Sequence, residues 1–183
     1  STDGTFQAVK DKFPQVTVIK GTGSLFWNQG MRLAWETASH KNYFLYLWLN
    51  DDVILNKFAL IELFECYQEA LLKYDNQALI TGAFKNTEHE DVFSYGGRSE
   101  LGAVIPNGNI QKCKYINGNA VLVSREVFSI LGNLSVDYTH AMGDFDYGLR
   151  ALNAGFVNIT TKRYIGVCPV NESPKWASSD LPL

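Results

Sequence analysis

The feature that most limits how this chain can fold is an apolar run that ends in two carboxylates. Residues 43–49 read YFLYLWL and are followed directly by Asn50, Asp51 and Asp52. A short unbroken apolar run between polar residues predicts a strand that is buried on both faces, as in parallel sheets. Because ligands of open α/β sheets bind at the carboxyl ends of such strands, two acids here suit a divalent cation bound to phosphate oxygens. A turn without a ligand is the alternative, since Asn and Asp also favour turns.

The rest of the chain alternates between helix and strand patterns, which predicts the α/β class. Apolar spacing predicts helices at residues 5–12, 26–39, 57–74, 125–131 and 144–154. Short β-branched or apolar runs predict strands at residues 15–20, 77–84, 119–123, 156–160 and 164–167. The glycine-rich residues 92–117, with a hairpin signal at Asn107-Gly108, predict a mixed or antiparallel extension. We therefore predict a single domain over residues 1–183: a Rossmann-like, mostly parallel sheet flanked by helices, with that extension and an irregular tail at 169–183.

Composition and charge argue against several classes of protein. A net charge of −3 disfavours a nucleic-acid partner, because binding to a phosphate backbone needs a basic face. No apolar stretch approaches the ~18–20 residues needed to span a bilayer, so we expect no transmembrane segment. The three cysteines lack zinc-ligand spacing and the N-terminus does not resemble a signal peptide, so a reducing, cytoplasmic location is expected.

A second candidate for chemistry is the acidic start of the predicted helix at 144–154. Asp144 lies where the positive end of a helix dipole favours an ionised carboxylate, and such a group in a cleft can deprotonate a hydroxyl. A helix cap without a catalytic role is the alternative for Asp144. Asp146 is four residues before Arg150 and is expected mainly to pair with it. His140 lies four residues before Asp144, a position from which it could face the same cleft, and an ordinary surface or core histidine is the alternative.

A third candidate is the start of the predicted strand at 119–123. Gly118 and Asn119 precede its apolar residues, and small residues there let a ligand approach the backbone. The alternative is an ordinary turn, which Gly and Asn also favour. Residues 21–30 contain three glycines but lack the spacing of a phosphate-binding loop.

Five segments of the chain resemble motifs of the family-2 glycosyltransferases, inverting nucleotide-sugar enzymes with the A-type fold. In chain order they are residues 1–5 (STDGT), 21–31 (GTGSLFWNQGM), 49–53 (LNDDV), 114–125 (KYINGNAVLVSR) and 143–150 (GDFDYGLR). The second is similar to a segment of the rhamnosyltransferase-like branch, the third to its DxD motif, the fourth to its acceptor-side strand and the last to the segment that supplies the base. The resemblance implies the nucleotide-diphospho-sugar transferase fold.

The resemblance also implies a hexosyltransferase that moves a sugar from a nucleotide-diphosphate donor to a saccharide or glycolipid acceptor, as in polysaccharide biosynthesis. In that case Asp144 is the general base, and Asp52 binds a divalent metal, Mg²⁺ or Mn²⁺. The donor side then consists of Asn28, Gly30, Asn50 and Asp51, and the acceptor side of Gly118, Asn119 and Asp146. A homodimer and a position at the inner face of a membrane are compatible with such a function.

The chain departs from the family pattern at three places. Asn50 replaces the first acid of the DxD motif, and Gly143 replaces the glutamate that precedes the base. The strand and the acids that precede STDGT in the family are not in this sequence, so we expect an N-terminal strand to be missing. Two alternatives follow: a truncated or non-catalytic nucleotide-sugar-binding module of the same fold, or a nucleotidyltransferase, whose glycine-rich phosphate loop we do not find.

Overall fold

The computed structural model describes residues 3–170 of the chain and confirms the α/β class. The helices are α1 (Thr5–Lys12), α2 (Phe26–Ser39), α3 (Ala59–Tyr74), α4 (Arg125–Leu131) and α5 (Gly143–Asn153). The strands are β1 (Leu45–Leu49), β2 (Ile54–Leu55), β3 (Ala78–Lys85), β4 (Phe93–Tyr95), β5 (Arg98–Ser99), β6 (Gly102–Ala103), β7 (Gln111–Lys112), β8 (Ala120–Ser124) and β9 (Val157–Val167). Each of the five predicted helices is present, with bounds that differ by two residues at most.

The central sheet is mixed rather than mostly parallel. Its strand order is β1-β8-β3-β9-β2, with β4 on β3 and β7 on β9, while β5 and β6 form a separate two-stranded sheet. Among the described residues, β3 and β9 are the one parallel pair, and the other strand pairs are antiparallel. The prediction of a mostly parallel, Rossmann-like sheet is therefore wrong in its pairing, because β8 returns antiparallel between β1 and β3.

This topology brings four strand ends to one edge of the sheet. Since β1 and β3 are both antiparallel to β8, they run in the same direction, and β9 runs with them. The carboxyl ends of β1, β3 and β9 therefore lie at the same edge as the start of β8. The predicted acidic turn at 50–52 and the predicted small residues before β8 meet at this edge.

The apolar run at 43–49 forms an outer strand rather than a strand buried on both faces. β1 begins at Leu45, and β8 is its strand partner within the described part of the chain. Tyr43 and Phe44 are 53% and 55% exposed, whereas Tyr46 and Trp48 are buried. An apolar run thus predicted the strand correctly but not its place in the sheet, because the run reflects how the faces of the strand are covered, whereas the number of neighbouring strands depends on hydrogen bonding at its edges.

An aromatic cluster packs β1 against the helices on one face of the sheet. Its centre is Trp35 of α2, whose ring centroid lies 4.7–6.0 Å from those of Tyr46, Trp48, Phe128 and Tyr147. These contacts are tilted or edge-to-face, the arrangements that aromatic quadrupoles favour. The cluster holds α2, α4 and α5 on one face, while α3 packs on the other face against β3 and β9.

The two strands predicted at 156–160 and 164–167 form the single strand β9. Near its middle the pairing with β3 shifts register, and the Thr161 hydroxyl accepts a hydrogen bond from the Ala83 N–H at 3.0 Å. Glu62 of α3 is buried and accepts hydrogen bonds from the backbone N–H and the guanidinium of Arg163. The polar residues that interrupted the sequence pattern are therefore satisfied inside a continuous, irregular strand.

Two further predictions of local structure are wrong. Residues 15–20 form no strand and line a groove beside Leu33 and Ala34 of α2, because β-branched residues favour a strand only where a partner strand is present. Asn107-Gly108 is not the turn of a hairpin, since β6 pairs with β5 and β7 pairs with β9, and the bend lies at Gly108 and Asn109.

Parts of three predictions fall outside the described residues. These are residues 1 and 2 of the STDGT segment, the tail from residue 171 onward, and the corresponding ends of the predicted domain. Between residues 3 and 170, no helix combines the length and the apolar character needed to cross a membrane.

Candidate active site

A pocket of about 510 Å³ lies at the edge of the sheet where β1 ends and β8 begins. Six of the nine residues predicted for the site line it: Asn50, Asp51, Asp52, Gly118, Asn119 and Asp144. His140 lines it as well. A second cavity of about 600 Å³, beside β2 and β9, is lined by none of the nine. The pocket therefore unites carboxylates that are more than 90 residues apart in the sequence.

The other three predicted residues lie outside this pocket. Asn28 is fully buried in α2, and Gly30 lines the groove between α1 and α2. Asp146 accepts a hydrogen bond from Arg150 Nε at 2.8 Å, as its spacing predicted. Arg150 donates two further hydrogen bonds, to the carbonyl oxygens of Leu131 at the end of α4 and Asn133 just after it, so this ion pair fixes α5 against the end of α4.

Asp144 is held at the first turn of α5 by backbone donors. Its Oδ2 accepts a hydrogen bond from the Gly118 N–H at 2.8 Å, and its Oδ1 accepts one from the Phe145 N–H at 2.9 Å. Burial raises the pKa of Asp144 above that of an ordinary aspartate, although these hydrogen bonds act in the opposite direction. Each carboxylate oxygen keeps a further lone pair. The group can therefore accept a proton from a hydroxyl that enters the pocket.

Asp51 and Asp52 occupy the turn directly after β1, and both are exposed. Burial, and secondarily the negative charge of Asp52, raises the pKa of the Cys168 thiol to about 11, so Asp52 lies near the end of β9. Among residues 3–170, no group of three or more His, Cys, Asp or Glu side chains is arranged to hold a metal ion. Two carboxylates nevertheless fit the usual mode of Mg²⁺, which binds one or two acids together with substrate phosphates.

Asn50 is committed to hydrogen bonds within the protein. Its Oδ1 accepts a hydrogen bond from Trp27 Nε1 at 2.7 Å, and its Nδ2 donates one to Asn119 Oδ1, also at 2.7 Å. The Asn50 N–H donates to the carbonyl oxygen of Asn119 at 3.0 Å. Both the oxygen and the nitrogen of the Asn50 amide are thus engaged in hydrogen bonds. Of this turn, the two aspartates after Asn50 are therefore the residues that can offer oxygen ligands to the pocket.

Asn28 braces the loop that carries His140 and Met142 into the pocket. Its Nδ2 donates hydrogen bonds to the carbonyl oxygens of Ser135 and Tyr138, at 2.9 and 2.7 Å. Its Oδ1 lies so close to Gly143 that a Cβ atom there would be 1.7 Å from it. The glycine that departs from the family pattern is therefore required by the packing of α2 against the start of α5.

Gly143→Ala is expected to lower the free energy of unfolding by about 1–3 kcal/mol, because an added methyl group overpacks this contact. Asn28→Ala also destabilises the chain, through its lost hydrogen bonds, but it opens the space that the methyl group needs. The cost of Gly143→Ala should therefore be much smaller in the Asn28→Ala background. Urea unfolding of the parent, both single variants and the double variant measures this coupling. An equal cost in both backgrounds would show that the two positions do not interact.

Sequence reasoning missed three residues that support the pocket. Trp27 binds Asn50, the Asn117 Oδ1 accepts from the Asn119 N–H at 3.3 Å, and the Cys168 Sγ accepts from Asn119 Nδ2 at 3.3 Å. Trp27 and Asn50 are 23 residues apart, and Asn50 and Asn119 are 69 apart. No local spacing indicates contacts of this range; the available signal was that Trp27 and Asn117 each lie within a segment that resembles the family.

Comparisons with known proteins add no family assignment. No protein-family model matches this chain, and no curated protein matches it significantly. The function must therefore be inferred from the pocket, supported by the motif resemblance.

Proposed function

We propose that this chain is a metal-assisted, inverting glycosyltransferase domain of the nucleotide-diphospho-sugar transferase fold. It would transfer a sugar from a nucleoside-diphosphate donor to a hydroxyl group of a saccharide or glycolipid acceptor, in the cytoplasm. One observation carries the proposal: a single pocket joins a carboxylate of raised pKa, Asp144, to a pair of exposed carboxylates, Asp51 and Asp52. Transfer from a diphosphate donor needs both a proton acceptor and a means of binding the leaving group.

The two ends of the pocket would divide the work. Asp52, with Asp51 beside it, would hold a Mg²⁺ or Mn²⁺ ion against the diphosphate, and such an ion neutralises charge on a departing phosphate oxygen. Asp144 would take the proton of the acceptor hydroxyl as its oxygen attacks the anomeric carbon. The bond from that carbon to the diphosphate breaks on the opposite face, which inverts the configuration. The proton on Asp144 then passes to solvent.

The acceptor would enter between Asp144 and the start of β8. Gly118 lies beside Asp144 through its N–H, and Asn119 lies next to the carboxylate turn through Asn50. His140 and Met142 also line the pocket, and both are exposed. An acceptor hydroxyl placed there would lie within reach of Asp144 without displacing its backbone hydrogen bonds.

A non-catalytic binding module is the second candidate function. It is favoured by the small number of acids at the pocket, since no third His, Cys, Asp or Glu ligand accompanies the pair within residues 3–170. Such a module would bind nucleoside diphosphates but would not transfer a sugar. Nucleotide binding therefore tests what the two candidates share, and turnover separates them.

The experiment that tests the proposal is thermal unfolding with Mn²⁺ and a panel of nucleoside diphosphates. A ligand at ~100 times its dissociation constant stabilises the folded state by about 2.7 kcal/mol. For a domain of this size, that stabilisation raises the Tm by roughly 5–10 °C. We expect one nucleotide to raise the Tm with Mn²⁺ and to have little effect with a chelator. The absence of a shift with every nucleotide would contradict the proposal.

A further inference from the structure

We propose that Trp27 is a positioning residue that fixes the carboxylate turn at 50–52 relative to Asp144, and that position 50 needs an amide for this purpose. The role of Trp27 in catalysis rests on the proposed function, but the contacts that join Trp27 to the turn and to Asp144 do not. Neither Trp27 nor the amide character of Asn50 has a role in the division of labour described above.

The first half of the link joins Trp27 to the carboxylate turn. The Trp27 indole N–H donates a hydrogen bond of 2.7 Å to Asn50 Oδ1, and this bond is partly buried. Asn50 directly precedes the two aspartates, so a displacement of its side chain moves the turn that carries them. A buried indole N–H without this acceptor would lack a partner, which is costly.

The second half joins Trp27 to the general base. The Trp27 ring lies over Gly118 so closely that a Cβ atom there would be 2.2 Å from a ring carbon. The Gly118 N–H in turn donates the 2.8 Å hydrogen bond to Asp144 Oδ2. One side chain therefore contacts both the residue that precedes the carboxylate pair and the residue that holds the base.

The chemistry of the link explains why an amide stands at position 50. Asn50 must accept a hydrogen bond from Trp27 and donate one to Asn119 Oδ1. A carboxylate can only accept, so an aspartate here would place an oxygen against the Asn119 oxygen. Turning the Asn119 amide would relieve this contact, but it would remove the hydrogen bond that Asn119 Nδ2 donates to the Cys168 sulfur. The Asn50 amide is thus matched to Trp27 on α2 and to Asn119 just before β8, and Asn119 in turn binds Cys168 after β9.

For the variant Asn50→Asp, a positioning role and a role as metal ligand predict opposite changes in the affinity for a divalent cation. If position 50 served as a metal ligand, Asn50→Asp would add an acid and strengthen the binding of a divalent cation. If it serves to position the turn, Asn50→Asp disturbs the link and weakens that binding. The two outcomes differ in sign, so they are separated by one titration.

The first test is Mn²⁺ binding, followed by the loss of the paramagnetic resonance signal of free Mn²⁺. We expect Trp27→Phe, which keeps a ring over Gly118 but removes the N–H, to weaken Mn²⁺ binding roughly five- to tenfold, the effect of one lost hydrogen bond. Asn50→Asp is expected to weaken it as well. The matched control is Trp35→Phe, because the Trp35 indole N–H has no hydrogen-bond partner within the described residues. Trp35→Phe should lower stability without changing Mn²⁺ affinity.

Tighter Mn²⁺ binding by Asn50→Asp, or unchanged binding by Trp27→Phe, would overturn the positioning role. A parent that binds Mn²⁺ neither alone nor together with a nucleoside diphosphate would instead overturn the proposed function, and a second readout then decides the link itself. That readout is the hydrogen exchange of the Trp27 indole N–H, followed by NMR in the parent and in Asn50→Ala. Exchange at least tenfold faster in the variant supports the link, and equal exchange overturns it.

Discussion

Asp144→Asn is expected to lower the turnover number by about 10²–10⁴-fold, the usual contribution of a general base. The substitution keeps the size of the side chain and at least one of its two backbone hydrogen bonds, but an amide does not accept a proton at neutral pH. Nucleoside-diphosphate binding should be unchanged, because Asp144 belongs to α5 and not to the carboxylate turn that is proposed to hold the metal and the diphosphate. Steady-state kinetics of sugar release from the donor, with a thermal shift for nucleotide binding, measures both effects.

The pH dependence of kcat/KM in the parent is a second test of Asp144 as the general base. Because burial raises the pKa of Asp144, its carboxylate takes up a proton at a higher pH than an ordinary aspartate, whose pKa is about 3.9. A base must be deprotonated to act, so kcat/KM should fall as the pH decreases through this raised pKa. The fall of kcat/KM on the acid side should therefore occur at a higher pH than the pKa of an ordinary aspartate, and the profile of Asp144→Asn should lack this fall.

Asp75→Asn is the matched control for this substitution. Asp75 is exposed at the end of α3 with a positive φ of 46°, a backbone conformation that asparagine tolerates well. The same change of charge far from the pocket should leave turnover and its pH profile as in the parent. Full turnover in Asp144→Asn would exclude Asp144 as the base, and equal losses in both variants would indicate an effect of net charge.

The helices could be predicted from the sequence because the signal that defines them is local. The bounds of α2 and α4 agree with the predicted ranges, since apolar spacing and the Ser124 side chain, which accepts from the Val127 N–H, act within one or two turns. The sheet could not be predicted in the same way. Whether residues 43–49 pair with one strand or two, and in which direction, depends on β8, about 75 residues later in the chain.

In the candidate site, too, features set by local sequence could be predicted and features set by long-range contacts could not. Asp144 and the pair Asp51–Asp52 could be found because each lies at the end of an element, where the sequence pattern changes abruptly. The roles of Asn50 and Asn28 could not, since the Asn50 amide and the Asn28 Nδ2 bind partners that tertiary packing brings near. A polar residue of a motif can either bind a ligand or stabilise the surrounding structure. Its hydrogen-bond partners in the folded protein show which of these two roles it has.

Asp52→Ala is expected to abolish the Mn²⁺-dependent stabilisation by nucleoside diphosphates. In the parent that stabilisation is about 2.7 kcal/mol at ~100 times the dissociation constant, and in the variant it should be close to zero. The physical reason is that an exposed pair of acids has no third carboxylate or imidazole to replace a lost ligand within the described residues. Asp52 is chosen over Asp51 because it is the acid of the turn that is proposed to bind the metal directly.

The measurement compares the ligand-induced change in Tm rather than the Tm itself, so a change in the stability of the free variant does not affect the result. Asp11→Ala on α1 is the control, because Asp11 is exposed and pairs only locally, with Gln7. It should retain the full shift. If Asp52→Ala also retained the Mn²⁺-dependent shift, the metal and the nucleotide would bind without this carboxylate, and Asp52 would be excluded as the metal ligand. If Asp52→Ala lost the shift while Asp144→Asn kept it, the two residues would have separate roles. Asp52 would then act on the leaving group and Asp144 on the attacking hydroxyl.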